Sequence, residues 1–592
     1  MTDTKKHLTH LEAVGLIRLA KTHPELEFMF RHALVQEVAY NSLLFEDRKK
    51  LHRQVAEAIE EVYPDRLDEM AAELARHYTE AGDEEKAVAY LLRAGDHSQQ
   101  MVALSEAVEF YQAALERMPE SDQAERAETL DKLGVCQLVI AHRHEAIESF
   151  KASERLFDAL GQRQRTGAMF RKIGEVYWEL GEKEKSLQHC YQALTTLEQG
   201  QESVELAWAL SSVSRMHMLS AEFDRAIAFG ERALALAGRL KAENVTVHAL
   251  NAVGSSYVSS GNAERGLAML QDSLSRALAL GLPYDTARAY INLGFMFAVV
   301  GRYEEARNAF ESTQVYATEI NSIGFFDGAS VQLARLDWLL GQWKSALVRR
   351  QALFERFDDP QLFNITRVWA SSLLGQVYND LSQPEAARQA LESMLPSARR
   401  AQITLPHLAQ LVRAYTTLGI ASEAEEIGRE FLDWFQRDVG IFADAEEVPP
   451  LLTICQWLSA QPNQARLENA HACLYQLKLA HQQLGTSETE ACLSEGHGTV
   501  ALAEGNPSQA VEWFHHAIAG WEELGHPYDQ ARALKYLGQA LAQSGDTEAA
   551  REAFEQAYTI VETLATQLDD VELKDSFLNS PLVREIQAGL TA

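Results

Sequence analysis

Nineteen histidines, five cysteines and 85 acidic residues are the groups in this chain that could ligate a metal or run acid–base chemistry. The histidines crowd most closely at His142-Arg143-His144-Glu145 and at His515-His516. Neither pair has the i, i+4 spacing and third ligand that a tetrahedral zinc site needs, so both read as turn or surface residues. Gly496-His497-Gly498 looks like a catalytic turn, but no serine or cysteine nucleophile stands beside it. Acid pairs such as Glu304-Glu305, Asp358-Asp359 and Glu446-Glu447 read as solvated turns. Cys136, Cys190, Cys455, Cys473 and Cys492 lack CxxC spacing, and their odd number suits a reducing compartment. No Gly-x-x-x-x-Gly-Lys-Ser/Thr loop occurs, so there is no backbone nest with a lysine for nucleotide phosphates. The sequence predicts no catalytic residue, no metal, no cofactor and no enzyme.

A chain of 592 residues is too long for one hydrophobic core, since such cores stop growing near roughly 250 to 300 residues. It must be several domains or a repeat array. Ala, Leu, Glu, Gln and Arg dominate, which favours helix before any pattern is read. The net charge of −31 disfavours nonspecific contact with phosphate backbones and anionic membranes. The N-terminus has no apolar signal-peptide core, and no run of about 18 apolar residues could span a bilayer. A cytoplasmic protein is expected.

A pair made of one apolar and one small residue recurs every 40 residues: Leu133-Gly134, Ile173-Gly174, Val213-Ser214, Val253-Gly254, Leu293-Gly294 and Leu333-Ala334. The series continues less regularly through Leu374-Gly375 and Leu411-Val412, blurs near Cys455, and recovers at Gly498 and Leu537-Gly538. Seven residues after the small position comes a turn residue: Gly181, Gly261, Gly301, Gly341, Gly419, Gly505 and Gly545, with Ala141, Ala221 and Ser382 as substitutes. A second small residue follows, as at Ala226 and Ala306, and then a large one: Phe150, Leu270, Phe310, Leu391, Phe514 or Phe554. The small residues let two helices approach, and the large ones are expected to fill the space between hairpins. The unit is helix, tight turn, helix, and neither helix can bury its apolar stripe alone.

Ile173-Gly174-Glu175-Val176-Tyr177 through Gly181, and Leu293-Gly294 through Gly301, Ala306 and Phe310, resemble the tetratricopeptide repeat. The resemblance covers roughly residues 70 to 568. It implies an all-α fold: a right-handed superhelix, or α-solenoid, of helix hairpins with a mostly 40-residue period. The usual period is 34 residues. Leu160-Gly161, Leu280-Gly281, Leu484-Gly485 and Leu524-Gly525 suggest a longer second helix closed by a C-cap glycine; six residues add about 9 Å of helix. In this repeat family the first helix lines the inner groove at fixed offsets from the small residue. The resemblance therefore implies a partner-binding groove formed by Arg171, Trp178, Trp208, Arg215, His248, Asn251, Arg288, Phe295, Arg335, Trp338, Trp369 and Asn379. Arginine and aromatic residues together are what interface hot spots favour. The competing reading is that the tryptophans pack between hairpins and the arginines pair with nearby carboxylates.

Residues 1–66 lie outside the period. Leu8 to Ile17 is expected to be helical, Leu26 to Phe30 a short strand, and His32 to Leu44 and Glu46 to Tyr63 two helices. Gly15-Leu16-Ile17, Phe28 to Tyr40 and Arg48-Lys49-Lys50-Leu51-His52 resemble the winged-helix segment that follows the nucleotide-binding module in STAND-type signalling ATPases. The tail from Leu568 to Ile586 resembles the closing helices of the same arrays. The expected organisation is a winged-helix-like segment and connecting helices at 1–66, a repeat array at 67–568, and capping helices at 569–592. Residues 432–490 interrupt the rhythm, with a loop from Asp438 to Pro450 read as part of an insertion. The expected function is a protein–protein interaction scaffold or sensor array in bacterial signalling, binding a peptide or partner domain of acidic character. The alternative is the detached regulatory half of a STAND ATPase, nucleotide cyclase or transcriptional regulator whose active domain is on another chain. A nucleic-acid groove would need more positive charge.

Overall fold

The 40-residue rhythm becomes a succession of paired helices joined by tight turns. A computed structural model describes residues 2–21, 27–355, 364–401, 404–437 and 448–591, and the described residues divide into two units, Met1–Leu160 and Gly161–Ala592. Leu26, Asp358 and Asp359, and residues 438–447 of the loop expected from Asp438 to Pro450, with Glu446 and Glu447 among them, lie outside the described residues.

The first unit begins with α1 (Thr2–Ala13), an antiparallel strand pair β1 (Ile17–Lys21) and β2 (Glu27–Phe30), α2 (Ala33–Asn41) and α3 (Phe45–Val62). Ile17, expected to end a helix, instead opens β1: Gly15 takes φ +77 and turns the chain, and Ile17 pairs with Phe30. There follow α4 (Ala71–Ala81), α5 (Glu84–Gln100), α6 (Leu104–Arg117), α7 (Gln123–Val139) and α8 (Arg143–Ala159).

The second unit continues as hairpins: α9 and α10 (Arg163–Glu179, Lys183–Glu198), α11 and α12 (Val204–Leu219, Phe223–Leu240), α13 and α14 (Glu243–Ser259, Ala263–Leu280), α15 and α16 (Pro283–Val299, Tyr303–Glu319), α17 and α18 (Ile323–Leu339, Trp343–Phe354). Next come α19 and α20 (Asn364–Asp380, Pro384–Ala401), α21 and α22 (Leu405–Leu418, Ala421–Arg437), α23 and α24 (Val448–Ala460, Gln464–Leu484), α25 and α26 (Ser487–Ala503, Pro507–Leu524), and α27 and α28 (Pro527–Ser544, Thr547–Ala565). Helices α29 (Val571–Leu578) and α30 (Pro581–Thr591) close the array, with α30 packed on α27 and α28. The stretch read as an insertion contains an ordinary hairpin: α23 starts at Val448, so Pro449 and Pro450 sit in its first turn, and it packs on α21 and α25 as other first helices pack on theirs.

The turn residues behave as their chemistry requires. Gly181, Gly261, Gly301, Gly341, Gly419, Gly505 and Gly545 all have positive φ, and Ala141, Ala221 and Ser382 adopt the same left-handed conformation. The lengthening of the repeat is shared between both helices rather than confined to the second: α13 has 17 residues and α14 has 18. The large residue of the second helix seals its own hairpin, where it was expected to fill the gap between hairpins. A Cβ on Gly294 would lie 2.5 Å from the Phe310 ring, one on Gly498 2.7 Å from Phe514, and one on Gly538 2.7 Å from Phe554.

The second unit winds back on itself. Asn364 donates to the carbonyl of Leu180, Gln483 to that of Ser259, and Ser576 to that of Ser382. One apolar core therefore joins Val331, Trp338 and Trp343 to Phe514, Phe554, Leu564 and Phe577. Trp343 stacks on Trp338 at 4.3 Å and meets Phe577 edge-on at 4.8 Å.

Candidate ligand-binding interior of the repeat array

Six of the groove candidates come together on α9, α11, α13 and α15. The Arg171 guanidinium lies over the Trp208 ring at 5.1 Å, Trp208 meets His248 edge-on at 5.0 Å, and the backbone carbonyl of His248 accepts from Arg288 at 3.4 Å. Asn251 accepts from Asn292 at 2.6 Å. Side chains from four successive hairpins reach one another here because α9, α11, α13 and α15 pack in series. Burial and then the fields of Arg288, Arg215 and Arg171 push the His248 pKa well below its ordinary value, and its Nδ1 shares a hydrogen with Ser211 at 2.6 Å.

One guanidinium of this cluster is left without an ion pair. Arg171 pairs with Glu175 at 2.7 Å and Arg288 with Asp285 at 2.9 Å, while Arg215 forms no ion pair with any described residue. Burial pulls the Arg288 guanidinium below its ordinary pKa and pushes the Asp285 carboxyl up, with each partner opposing the shift of the other. Both Arg288 Nε and Asn251 Nδ2 are buried donors with no acceptor. Buried donors are ordinarily paired, so these two are departures from the usual rule.

The other candidates fall elsewhere. Trp178 is 9% exposed and packs with Leu194 and Leu210, and Trp338 is 2% exposed with its indole N–H on Asp380 at 2.9 Å. These two are wall-packing residues, as the competing reading of the sequence had it. Asn379 donates to the carbonyl and side chain of Gln410. Phe295 stands 5.5 Å from Trp369. Trp369 and Arg335 border a cavity of ≈120 Å³ enclosed by α17, α19, α21, α23, α25 and α27 together with Trp521 and His526.

Around this cavity the buried charges are matched. Arg413 bonds Asp380 at 2.8 Å. Arg532 forks onto Glu495 at 2.7 and 2.9 Å and reaches Asp529 at 2.6 Å, and the Trp521 indole also donates to Glu495. Burial works against the charge of Arg532, but Glu495 and Asp529 outweigh it and hold the guanidinium above its ordinary pKa. His526 is 1% exposed and sits between the Tyr303 and Trp521 rings, at 5.3 and 5.6 Å. Burial lowers its pKa to about 3.

The carboxylates and the later arginines were within reach of the sequence rule. Glu175, Arg413, Glu495 and Arg532 stand at the same offsets from Gly174, Val412, Gly498 and Gly538 as the chosen candidates do from theirs, and Asp380 stands one residue past the candidate Asn379. Asp285 and His526 stand one to two turns further back, on the stretch by which the first helix is lengthened. Gly496 and His497 lie within α25, and the His497 ring stacks on Trp513 at 4.5 Å, so no catalytic turn forms there. All five cysteines are buried. Among the described residues no group of three or more His, Cys, Asp or Glu is placed to hold a metal, and no helix is long and apolar enough to cross a membrane.

Residues 489–563, which run from α25 to α28, match the tetratricopeptide repeat family. An uncharacterized protein of Rhizobium meliloti (strain 1021) is 33% identical over 124 residues, which is 21% of this chain and only 12% of that relative's length. Among solved structures, the Rap protein complexed with competence and sporulation factor is similar at TM-score 0.42 and 16% identity, over 59% of this chain and 98% of that one. The Cut9–Hcn1 hetero-tetramer of APC/C is similar at TM-score 0.42 and 12% identity, over 85% and 96%. The apo form of RapI gives TM-score 0.36 and 13% identity, over 47% and 98%.

Proposed function

We propose that this chain is a protein-interaction scaffold or sensor of a bacterial signalling system, whose second unit holds an acidic peptide segment or partner domain against the first helices. The carrying observation lies on α9 to α15: Arg171 and Arg288 are each paired with a carboxylate, whereas Arg215 beside them forms no ion pair with any described residue. A ligand carboxylate at Arg215 would neutralise the spare charge, and an arginine fork suits carboxylate geometry.

Arg215 is the position that tests this. Arg288 is 5% exposed and locked to Asp285, and Arg335 has a partner of its own, so reversing either would disturb the fold. With fluorescent capped peptides of matched length, one Asp/Glu-rich and one Lys-rich, the wild type should bind the acidic one preferentially. Arg215→Glu should weaken that binding at least about tenfold, roughly 1.4 kcal/mol, with unchanged helicity by circular dichroism. Equal affinity for both peptides, or an unaffected variant, rejects the reading.

One feature favours the alternative of a regulatory half serving an active domain on another chain. Leu34, Val38, Leu44 and Phe45 on and between α2 and α3 are all more than 60% exposed, and apolar surface of this density marks an interaction face. Association through that face would be indifferent to Arg215→Glu, so the same variant separates the two readings.

A further inference from the structure

A second site lies in the cavity between α17 and α27, and its chemistry differs from that of the arginine cluster. Its charged lining is three arginines, Arg335, Arg413 and Arg532, against three acids, Asp380, Glu488 and Asp529. Arg413 and Arg532 are bonded to carboxylates at 2.6 to 2.9 Å, and Arg335 and Glu488 each have a partner. A charged ligand would enter without a counter-ion, and an unpaired buried charge is strongly disfavoured. The cavity excludes ions by having spent its own.

What remains unspent is polar and neutral. His526 borders the cavity, is 1% exposed, and has no hydrogen-bond partner at either ring nitrogen. Its nearest carboxylate oxygen, on Asp529, is 3.7 Å from Nδ1, beyond hydrogen-bond reach. A neutral imidazole offers one N–H donor and one acceptor nitrogen, the complement of an amide's C=O and N–H. Leaving both unmade in a buried ring is unfavourable, and a bound amide would make one of the two bonds. Gln332 and Gln376 add amide dipoles to the lining, while Trp369, Leu373 and Leu452 make an apolar wall. The volume of ≈120 Å³ has room for an amide with its flanking carbons.

We propose that this cavity binds an uncharged amide-bearing group with an apolar flank, with His526 meeting the amide and Trp369 covering the flank. Such a group occurs in a peptide segment and in a small amide metabolite alike. The neutrality of His526 at pH 7 fits this, because an imidazolium would break the charge match of the lining.

The probe is N-acetylleucinamide, compared with the anion N-acetylleucine and the cation leucinamide, by saturation-transfer NMR on the full chain. The wild type should transfer saturation to the neutral probe at about millimolar concentration, and at least fivefold less to either ion. His526→Phe keeps the stacking between Tyr303 and Trp521, removes both nitrogens, and should abolish the transfer. Should that variant fail to fold, Trp369→Leu is the second reading and should cut the transfer at least threefold. Equal transfer to all three probes, or an undiminished signal in the folded variants, overturns the proposal. The source is assigned with N-acetyl-Ala-Leu-Ala-amide: affinity at least tenfold above the single amide marks a peptide site, equal affinity a small-molecule site, and both outcomes uphold the amide chemistry. Because the anion could also bind at the arginine cluster, the three-probe comparison is repeated in the Arg215→Glu chain, so that the result does not depend on whether that cluster takes a carboxylate.

Discussion

Burying a histidine is tolerated when the ring stays neutral, and this chain does so at His248, His407 and His526. Burial lowers His407 to about 4 and His526 to about 3. In the unfolded chain both return to an ordinary value near 6.5, so below that pH the unfolded state binds protons that the folded state refuses. The stabilisation is complete above pH 6.5 and is lost as pH falls toward the folded values. Each ring contributes a slope of up to about 1.4 kcal/mol per pH unit. Urea titrations at pH 5.5 and 4.5 should therefore show His526→Phe less acid-sensitive than the wild type by about that amount, and identical pH slopes would show that the ring is already charged when folded. At this scale the sequence was legible where a residue's offset in the repeat decides its neighbours. Arg171, Trp208, Arg215, His248, Asn251 and Arg288 gather on one wall, but the same offsets put Trp178 and Trp338 inside it, because a large indole at the last offset reaches back into the hairpin. His526 was illegible, since it precedes the offsets that the shorter repeat would have supplied.

Helix elements were announced by their turns, and one turn was hidden. Gly95 stands 39 residues before Gly134 and meets Tyr111 as Gly134 meets Phe150, so α5 and α6 form a hairpin of the same design. Its turn residue, seven positions on, is Val102 at φ +61. A β-branched residue there is a steric outlier, which is why no turn signal was visible at that point. Left-handed backbone costs a non-glycine residue roughly 1 to 2 kcal/mol, partly offset by the greater freedom glycine has when unfolded. Val102 is 74% exposed, so little packing is lost by removing it. Val102→Gly should raise the unfolding free energy by about 1 kcal/mol in chemical denaturation; a loss would mean that the valine makes contacts worth more than the strain. The strand β1 was missed for a simpler reason: Gly15 breaks a run whose residues otherwise continue the periodicity of α1.

At the scale of the second unit, periodicity predicted stacking of neighbours but not the return of the chain upon itself. Contacts such as Gln483 to Ser259 join residues 224 positions apart, and no local pattern encodes them. Their apolar anchor is Trp343, fully buried against Trp338, Tyr528 and Phe577. Trp343→Ala should cost about 3 to 5 kcal/mol and free the last helices, so that limited proteolysis cuts within residues 565–591 before anywhere else in the second unit. Uniform resistance would show that those helices are held without it. The turn glycines make the same return possible. A Cβ on Gly261 would lie 2.1 Å from the Gln483 carbonyl oxygen, and one on Gly341 2.6 Å from Pro527. In mechanical terms this is a spring wound to its solid length. At Gly261, where backbone meets backbone, it has little travel under compression, whereas tension meets no such stop. Tension is resisted instead by the hydrogen bonds of Asn364, Gln483 and Ser576, by the Lys344–Asp569 ion pair and by the apolar core around Trp343, so closing and opening the coils are opposed by different forces.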